Sequence, residues 1–471
     1  MMKKRVLLFV LCAWMTTTTW ATDSVGSSGL GDDYFPELGN GGYDALHYTL
    51  DLDWDADSNE ISGTVMMQAV ATDNLRRFNL DFAGFTISNL TVDGREARYQ
   101  RTGRELKITP DLSLENGQRF TVAVSYAGVP GEGVDTDSPY DAFASGWRRY
   151  RNGVYVASQP SGASLWYPVN DHPLDKATYS FLITVPDPYV VAANGLLEEI
   201  ISNPDQTTTF RWEASDQTAS YLTTVNIAEF QVMQSQEPRG IPIRNYFPVD
   251  DATELMMTFG KTRRMMTFFE SIFGPYPFEA YGVVVADVSL PFALETQTLS
   301  LFGGDIAEGG EEAESVIAHE LAHQWFGNSV SLVEWRDIWL NEGFATYASV
   351  LWWEHEQGVD AMNDILDDYY TIISNAPFFV PPGNPPEDEL FNGGVYLRGA
   401  WTLHALRLEI GDATFFDTLR TYYAQYADSN ATTDDFITVA EAVSGQPLDD
   451  LFEAWLYDED LPDQPEMTLQ P

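Results

Sequence analysis

His319-Glu320-Leu321-Ala322-His323, with Glu342 nineteen positions beyond His323, is the set of residues in this chain best suited to chemistry. The run around it is rich in helix formers, and Glu311, Glu312 and Glu314 precede it, where carboxylates suit the positive end of a helix dipole. On a helix, residues four apart share a face, so His319 and His323 can aim a ring nitrogen each at one ion. A catalytic zinc takes three protein ligands at roughly 2.0–2.2 Å and leaves a fourth position open. Glu342, in a second helix-forming segment, Ile338-Trp339-Leu340-Asn341-Glu342-Gly343-Phe344-Ala345, supplies the third. Glu320 is then free to take a proton from a metal-activated water and return it to a leaving amine. The chain has only six histidines, and two stand here with both glutamates at workable spacing, which weighs against a pair of merely structural histidines. The chemistry implied is metal-assisted hydrolysis of an amide.

The same spacing, with Asn341-Glu342-Gly343-Phe344-Ala345 around the third ligand, resembles the aminopeptidase N family of zinc metallopeptidases, the gluzincin aminopeptidases. In that family a Gly-Ala-Met-Glu-Asn motif lies shortly before the zinc helix, and its glutamate holds the substrate's free ammonium. The matching segment here is Phe292-Ala293-Leu294-Glu295-Thr296. The resemblance implies that Glu295 is the amine anchor and that Ala293 lies against substrate. Phe292 and Thr296 depart from the pattern, and Phe292 adds bulk where backbone usually approaches substrate. Gln159, in Ala157-Ser158-Gln159-Pro160-Ser161-Gly162-Ala163, matches a second amine-binding position. Tyr396, in Gly394-Val395-Tyr396-Leu397-Arg398-Gly399-Ala400, matches the tyrosine whose hydroxyl donates to the developing oxyanion. The resemblance implies a zinc-dependent aminopeptidase acting on peptides with a free N-terminus, with one zinc ion as cofactor. An endopeptidase with a relaxed exopeptidase motif, and a catalytically idle zinc-stabilised binding protein, are the competing readings. Intact Glu320 and Tyr396 weigh against the second.

These residues need a scaffold, and the hydropathy pattern supplies two kinds. His47-Tyr48-Thr49-Leu50-Asp51-Leu52-Asp53-Trp54 alternates strictly, as does Phe78-Asn79-Leu80-Asp81-Phe82, which predicts half-buried strands. Asp93-Gly94, Asn116-Gly117 and Asn194-Gly195 are turn signals between further alternating runs. Beyond about residue 250, helices are expected over 252–273, 344–356, 399–408, 413–426 and 433–443, with strands over 281–288 and 294–301. The expected fold class is α+β multidomain. A flexible lead-in at 22–40 precedes an N-terminal antiparallel β domain at 41–232, a mixed, mainly helical catalytic domain at 233–460 and a tail at 461–471. The resemblance makes that second domain a thermolysin-like zincin. It also points to the short two-domain bacterial form, in which no large helical domain covers the cleft, so longer peptides are expected to enter.

Lys3-Lys4-Arg5, an apolar run and small residues ending at Ala21 have the layout of a secretory signal peptide over 1–21. An exported protein, periplasmic or secreted, is therefore expected, with no stable membrane association after cleavage. The single cysteine, Cys12, lies in that leader, so no disulfide is expected. With 71 acidic against 25 basic residues, the net charge is −46. Such a surface repels nucleic acid and anionic membranes, and it repels itself at low salt. Adaptation to a saline exterior then requires the unfolding temperature to rise with sodium chloride well beyond the concentration that screens surface charge. A flat salt curve contradicts that reading.

Overall fold

The structure is a computed structural model that describes residues 24–132, 146–237, 239–376 and 378–467. The expected signal peptide lies outside the described residues. Alternating sequence in the first half builds β-structure as anticipated. In Tyr43–Trp54, the side chains of Tyr48, Leu50, Leu52 and Trp54 are all buried. This strand is central in an eight-stranded sheet with Ile61–Ala71 on one side and Ala177–Pro186 on the other. The domain is not purely antiparallel, however. Tyr43–Trp54 runs parallel to Ala177–Pro186, with His47 opposite Thr178, because the long excursion between them brings the chain back in the same direction. Two four-stranded sheets complete this β-rich half.

The lead-in is a further correction. Ser24–Val25 adds a short parallel strand beside Leu75–Asp81, and Asp32 is buried. The Asp32 carboxylate accepts hydrogen bonds from the backbone N–H of Tyr34, Phe35 and Trp335, and it pairs with His172 at 3.3 Å. This segment is ordered by polar contacts with residues far away in sequence, which leave no hydrophobic period to read.

The second half carries α1 (Ala252–Thr258), α2 (Thr262–Phe273), α3 (Gly310–Ala322), α4 (Trp339–Gln357), α5 (Val359–Asn375), α6 (Gly393–Ile410), α7 (Asp412–Tyr426), α8 (Thr433–Ser444) and α9 (Asp449–Phe452). The expected single helix over 252–273 is interrupted by a 3-10 turn, Phe259–Lys261, at Gly260. The expected strand over 294–301 is mostly loop. Only Ser300–Gly303 is strand, while Leu294 and Leu301 form an isolated bridge around Thr298, whose φ is +66°.

A mixed sheet of Phe230–Gln236, Pro242–Pro248, Tyr281–Ala286 and Ser300–Gly303 stands between the halves. The first of these strands crosses the seam expected at 232/233. In Tyr281–Ala286 every residue is buried. Tyr281, Val283 and Val285 pack into the helical core, whereas Val284 and Ala286 pack into the β core. At roughly 1.5–3 kcal/mol per fully buried large apolar side chain, that shared sheet fixes one half against the other.

Asn79 and Asp81, expected on a wet strand face, are also buried, as is Asp175. Burial, reinforced by Asp44 and opposed by hydrogen bonds from Asn170 and the Ala45 backbone, raises the Asp175 carboxyl to about 8. A carboxyl raised on folding stabilises the fold fully below its unfolded value, and that contribution is lost as pH rises through the folded one. Between about pH 4 and pH 8, Asp175 therefore makes stability fall with rising pH. Asp175→Asn should flatten that part of the pH–unfolding-temperature curve, and an unchanged slope would show that Asp175 is not its source.

Candidate metal centre

Helix α3 holds His319 and, at its end, His323. Helix α4 is buried along nearly its whole length and offers Glu342 from its first turn. His319 Nε2 and His323 Nε2 lie 2.9 Å apart, and each is 3.3 Å from Glu342 Oε2. Donor bonds of roughly 2.0–2.2 Å at tetrahedral angles would separate the donor atoms by about 3.3–3.6 Å. The three atoms are therefore already spaced as zinc ligands, one pair slightly tight. The outer ring nitrogens are held as well. His323 Nδ1 lies 3.0 Å from the Phe326 carbonyl and His319 Nδ1 3.4 Å from Thr346 Oγ1, which directs both Nε2 atoms to the common point.

The electrostatics agree. Burial alone would lower His323, but Glu342, Glu295 and Glu320 together raise it to about 10. Burial alone would raise Glu342, but His323 and His319 hold it at about 2. The environment thus favours positive charge where the three donors meet. Glu320 is pushed well above the usual carboxylate range, first by burial and then by Glu295 and Glu342, against the pull of His323. One of its oxygens, Oε2, is buried and makes no hydrogen bond among the described residues.

Close backbone packing sets the position of Glu342 relative to Tyr396. Helices α4 and α6 meet at Gly343 and Gly399, where a Cβ on either glycine would sit 2.9–3.0 Å from the other's backbone. Those glycines adjoin Glu342 and lie three residues beyond Tyr396. The Tyr396 ring stacks on His319 at 6.1 Å between centroids. Its hydroxyl is raised well above the ordinary phenol value by burial, then by Glu342, Glu295 and Glu320, so it is a protonated donor. Arg398 faces away from the cavity and caps the carbonyls of Trp455, Ala454 and Asp458.

Glu295 is 2% exposed. Its carboxylate accepts from Gln159 Nε2 at 3.1 Å, leaving the Gln159 amide oxygen available as an acceptor. Burial raises Glu295 to about 7, with His323 opposing and Glu342 adding to the effect. Its carbonyl is gripped by Asn328 Nδ2 at 2.7 Å and Gln324 Nε2 at 3.1 Å. Lys176 reaches over from the β-rich half to pin that Asn328 loop, donating to the carbonyls of Asn328, Ser329 and Ser429 at 2.9–3.1 Å. Tyr221 stands beside Glu295 and Glu342, within reach of Asn341 Nδ2. Sequence reasoning misses Lys176, Tyr221, Gln324 and Asn328. The turn just after the second histidine is a place to look for Gln324 and Asn328, but nothing local marks Lys176 or Tyr221.

Gln159, Ala293, Glu295, His319, Glu320, His323, Glu342 and Tyr396 all line one cavity of about 470 Å³, together with Phe292, Phe391, Leu397 and Tyr369. Every residue singled out for chemistry is thus brought to one place. Residues 257–455 match the Peptidase family M1 domain and residues 44–222 the Peptidase M1 N-terminal domain. The chain belongs to peptidase family M1. An M1 zinc metallopeptidase from Deinococcus radiodurans has the same fold, with a TM-score of 0.83 at 30% identity over 93% of this chain and 99% of that one. A mutant of that protein, solved with a Tyr-Ser-Ala substrate, matches equally well, at 30% identity over 93% of this chain and all of that one, with a TM-score of 0.83. Among curated relatives, a glutamyl aminopeptidase of Bitis rhinoceros is 27% identical over 75% of this chain and 42% of its own length. Aminopeptidase M1 of Arabidopsis thaliana is 26% identical over 87% of this chain and 49% of its own. The chain spans about half the length of the curated relatives it matches. As an M1 zinc metallopeptidase it takes zinc as cofactor, and the donor spacing fits that ion.

The Gly343–Gly399 contact yields a direct check. Gly399→Ala should cost about 1–3 kcal/mol by overpacking and should weaken zinc retention by displacing Glu342. Thermal unfolding and zinc per chain after dialysis measure both, and wild-type values would mean that the close approach is dispensable.

Proposed function

We propose that this chain is an exported aminopeptidase that removes single residues from peptide N-termini. The carrying observation is that Glu295 and Gln159, buried and bonded to each other at 3.1 Å, line the same cavity as the His319, His323 and Glu342 donors, with ligand-type atoms of Glu295, Glu320 and His323 all within 4.8 Å of one another. A buried carboxylate beside the donors suits a free ammonium, since a charge entering a dry site needs a compensating one. A chain with an acylated, neutral N-terminus would leave that carboxylate without a counter-charge, which favours an exopeptidase over an endopeptidase.

His319, His323 and Glu342 would hold the zinc ion, which would supply Lewis acidity toward the carbonyl and toward water. Glu320 takes the proton from the attacking water and delivers it to the amine as the C–N bond breaks. The Tyr396 hydroxyl donates to the carbonyl oxygen as negative charge builds there, a contribution that grows in a site shielded from solvent. Glu295 accepts the substrate ammonium, and the Gln159 amide oxygen takes one of its remaining hydrogens. Ala293, on the cavity wall beside Glu295, faces the substrate backbone. Export, inferred from the layout of residues 1–21, belongs to the same proposal. Protein recovered from the periplasm or medium would begin near Thr22.

Glu320→Gln tests the mechanism. Zinc content should be unchanged while turnover of a free-amine peptide drops by about 10²–10⁴-fold, the usual loss when a positioned general base is removed. Retained turnover would show that another group moves the proton.

A further inference from the structure

We propose that the substrate cleft runs on from the zinc donors into a second, acidic cavity that receives peptide side chains downstream of the cleaved bond. Its preferred substrates would then carry lysine or arginine at the third and fourth positions from the N-terminus. The proposal rests on the aminopeptidase reading above, and two walls of the site carry it.

One wall is helix α3. Val316 and Ser315 lie three and four residues before His319, and Glu312 lies four and three before them, so the four share one face leading away from the donors. The other is the segment from Glu295 back through Ala293 and Phe292 to Pro291. The cavity that holds the chemistry and a neighbouring one of about 390 Å³ share Pro291, Phe292, Ala293 and Val316, so the two lie side by side along both walls. A peptide whose ammonium sits at Glu295 and Gln159 and whose first carbonyl lies at the donors would extend along these walls.

Length fixes which residues arrive. Seven helical residues from His319 to Glu312 span about 10 Å, which an extended peptide at about 3.3 Å per residue covers in three steps. Counting from a first carbonyl at the donors, the third and fourth residues reach the second cavity. The charged side chains lining it are Asp305, Glu308 and Glu312, all exposed, with no lysine or arginine among its lining residues. None of the three forms an ion pair among the described residues. Asp305 accepts one hydrogen bond, from Ser289 Oγ. A cationic side chain is the ligand whose charge these carboxylates complement, and the attraction should weaken with salt.

The zinc-loaded full chain is assayed with Leu-Ala-Lys-Lys-Ala amide, Leu-Ala-Glu-Glu-Ala amide and leucine p-nitroanilide, which has no peptide beyond the cleaved bond. The expected kcat/KM is at least tenfold higher for the lysine peptide at low ionic strength, with the ratio shrinking in 0.5 M sodium chloride. In the triple variant Asp305→Asn, Glu308→Gln, Glu312→Gln, the ratio should fall below threefold while anilide turnover stays as in the parent. Equal rates for the two peptides in the parent overturn the proposal. So does a preference that survives in the triple variant, which would assign it to the overall negative charge. A parent that cleaves the anilide yet shows no preference leaves the aminopeptidase reading standing, whereas failure on all three substrates removes both.

Discussion

Two imidazole nitrogens and a carboxylate oxygen held about 3 Å apart in a buried site are the constraint on which the rest of this molecule depends. Lone pairs converging there repel unless a cation sits between them, and burying the carboxylate without a partner would cost several kcal/mol. The protein meets this cost with stiffness. Helix α4 is almost entirely buried, α3 packs beside it, and α6 touches α4 backbone to backbone at Gly343 and Gly399. A glutamate on a surface helix could rotate away from two histidines. Glu342, 3% exposed on a helix buried along nearly its whole length, has no such freedom.

The site is also a product of both halves of the chain. The metal donors, Glu320 and Tyr396 come from the helical half, but the surroundings of Glu295 are assembled across the junction. Gln159 arrives from the β-rich half to bond Glu295, and Lys176 and Tyr221 come from the same side. Lys176 is buried, and desolvation lowers it to about 7, partly offset by Asp428. Its three carbonyl contacts fix the loop whose Asn328 holds the Glu295 backbone. Positioning of Glu295 therefore depends on the shared sheet, in which Val283 and Val284 face opposite cores.

Local features of this architecture can be read directly from the sequence. The zinc helix, Glu342 and the alternating strand around Leu50 announce themselves because their spacing equals the period of the element that carries them. Glu295, Tyr396 and Gln159 can be picked out only by likeness to a family, since a glutamate on a loop or a tyrosine in a helix has no signature of its own. The features that stay hidden act over long separations. Asp32 bonds the backbone N–H of Trp335, 303 residues away, so a stretch rich in glycine and serine is ordered where composition suggests a flexible lead-in. Asp81, at the end of a strand, accepts from Asn40 Nδ2 and the Asp171 N–H, and Asp175, just before one, accepts from the Ala45 N–H 130 residues away, contacts that alternation along one strand does not reveal. The parallel pairing of Tyr43–Trp54 with Ala177–Pro186 likewise depends on the path of the intervening chain.

A buried carboxylate beside a candidate metal centre makes one comparison decisive: a peptide with a free N-terminus against its N-acetylated twin, each with purified protein in the presence and absence of a chelator. Stepwise trimming of the free peptide alone, abolished by the chelator, is the result expected if Glu295 binds the ammonium and zinc drives the hydrolysis. Internal cleavage of the acetylated peptide would contradict the amine-binding role proposed for Glu295 and Gln159, and trimming that survives the chelator would contradict the role of the metal.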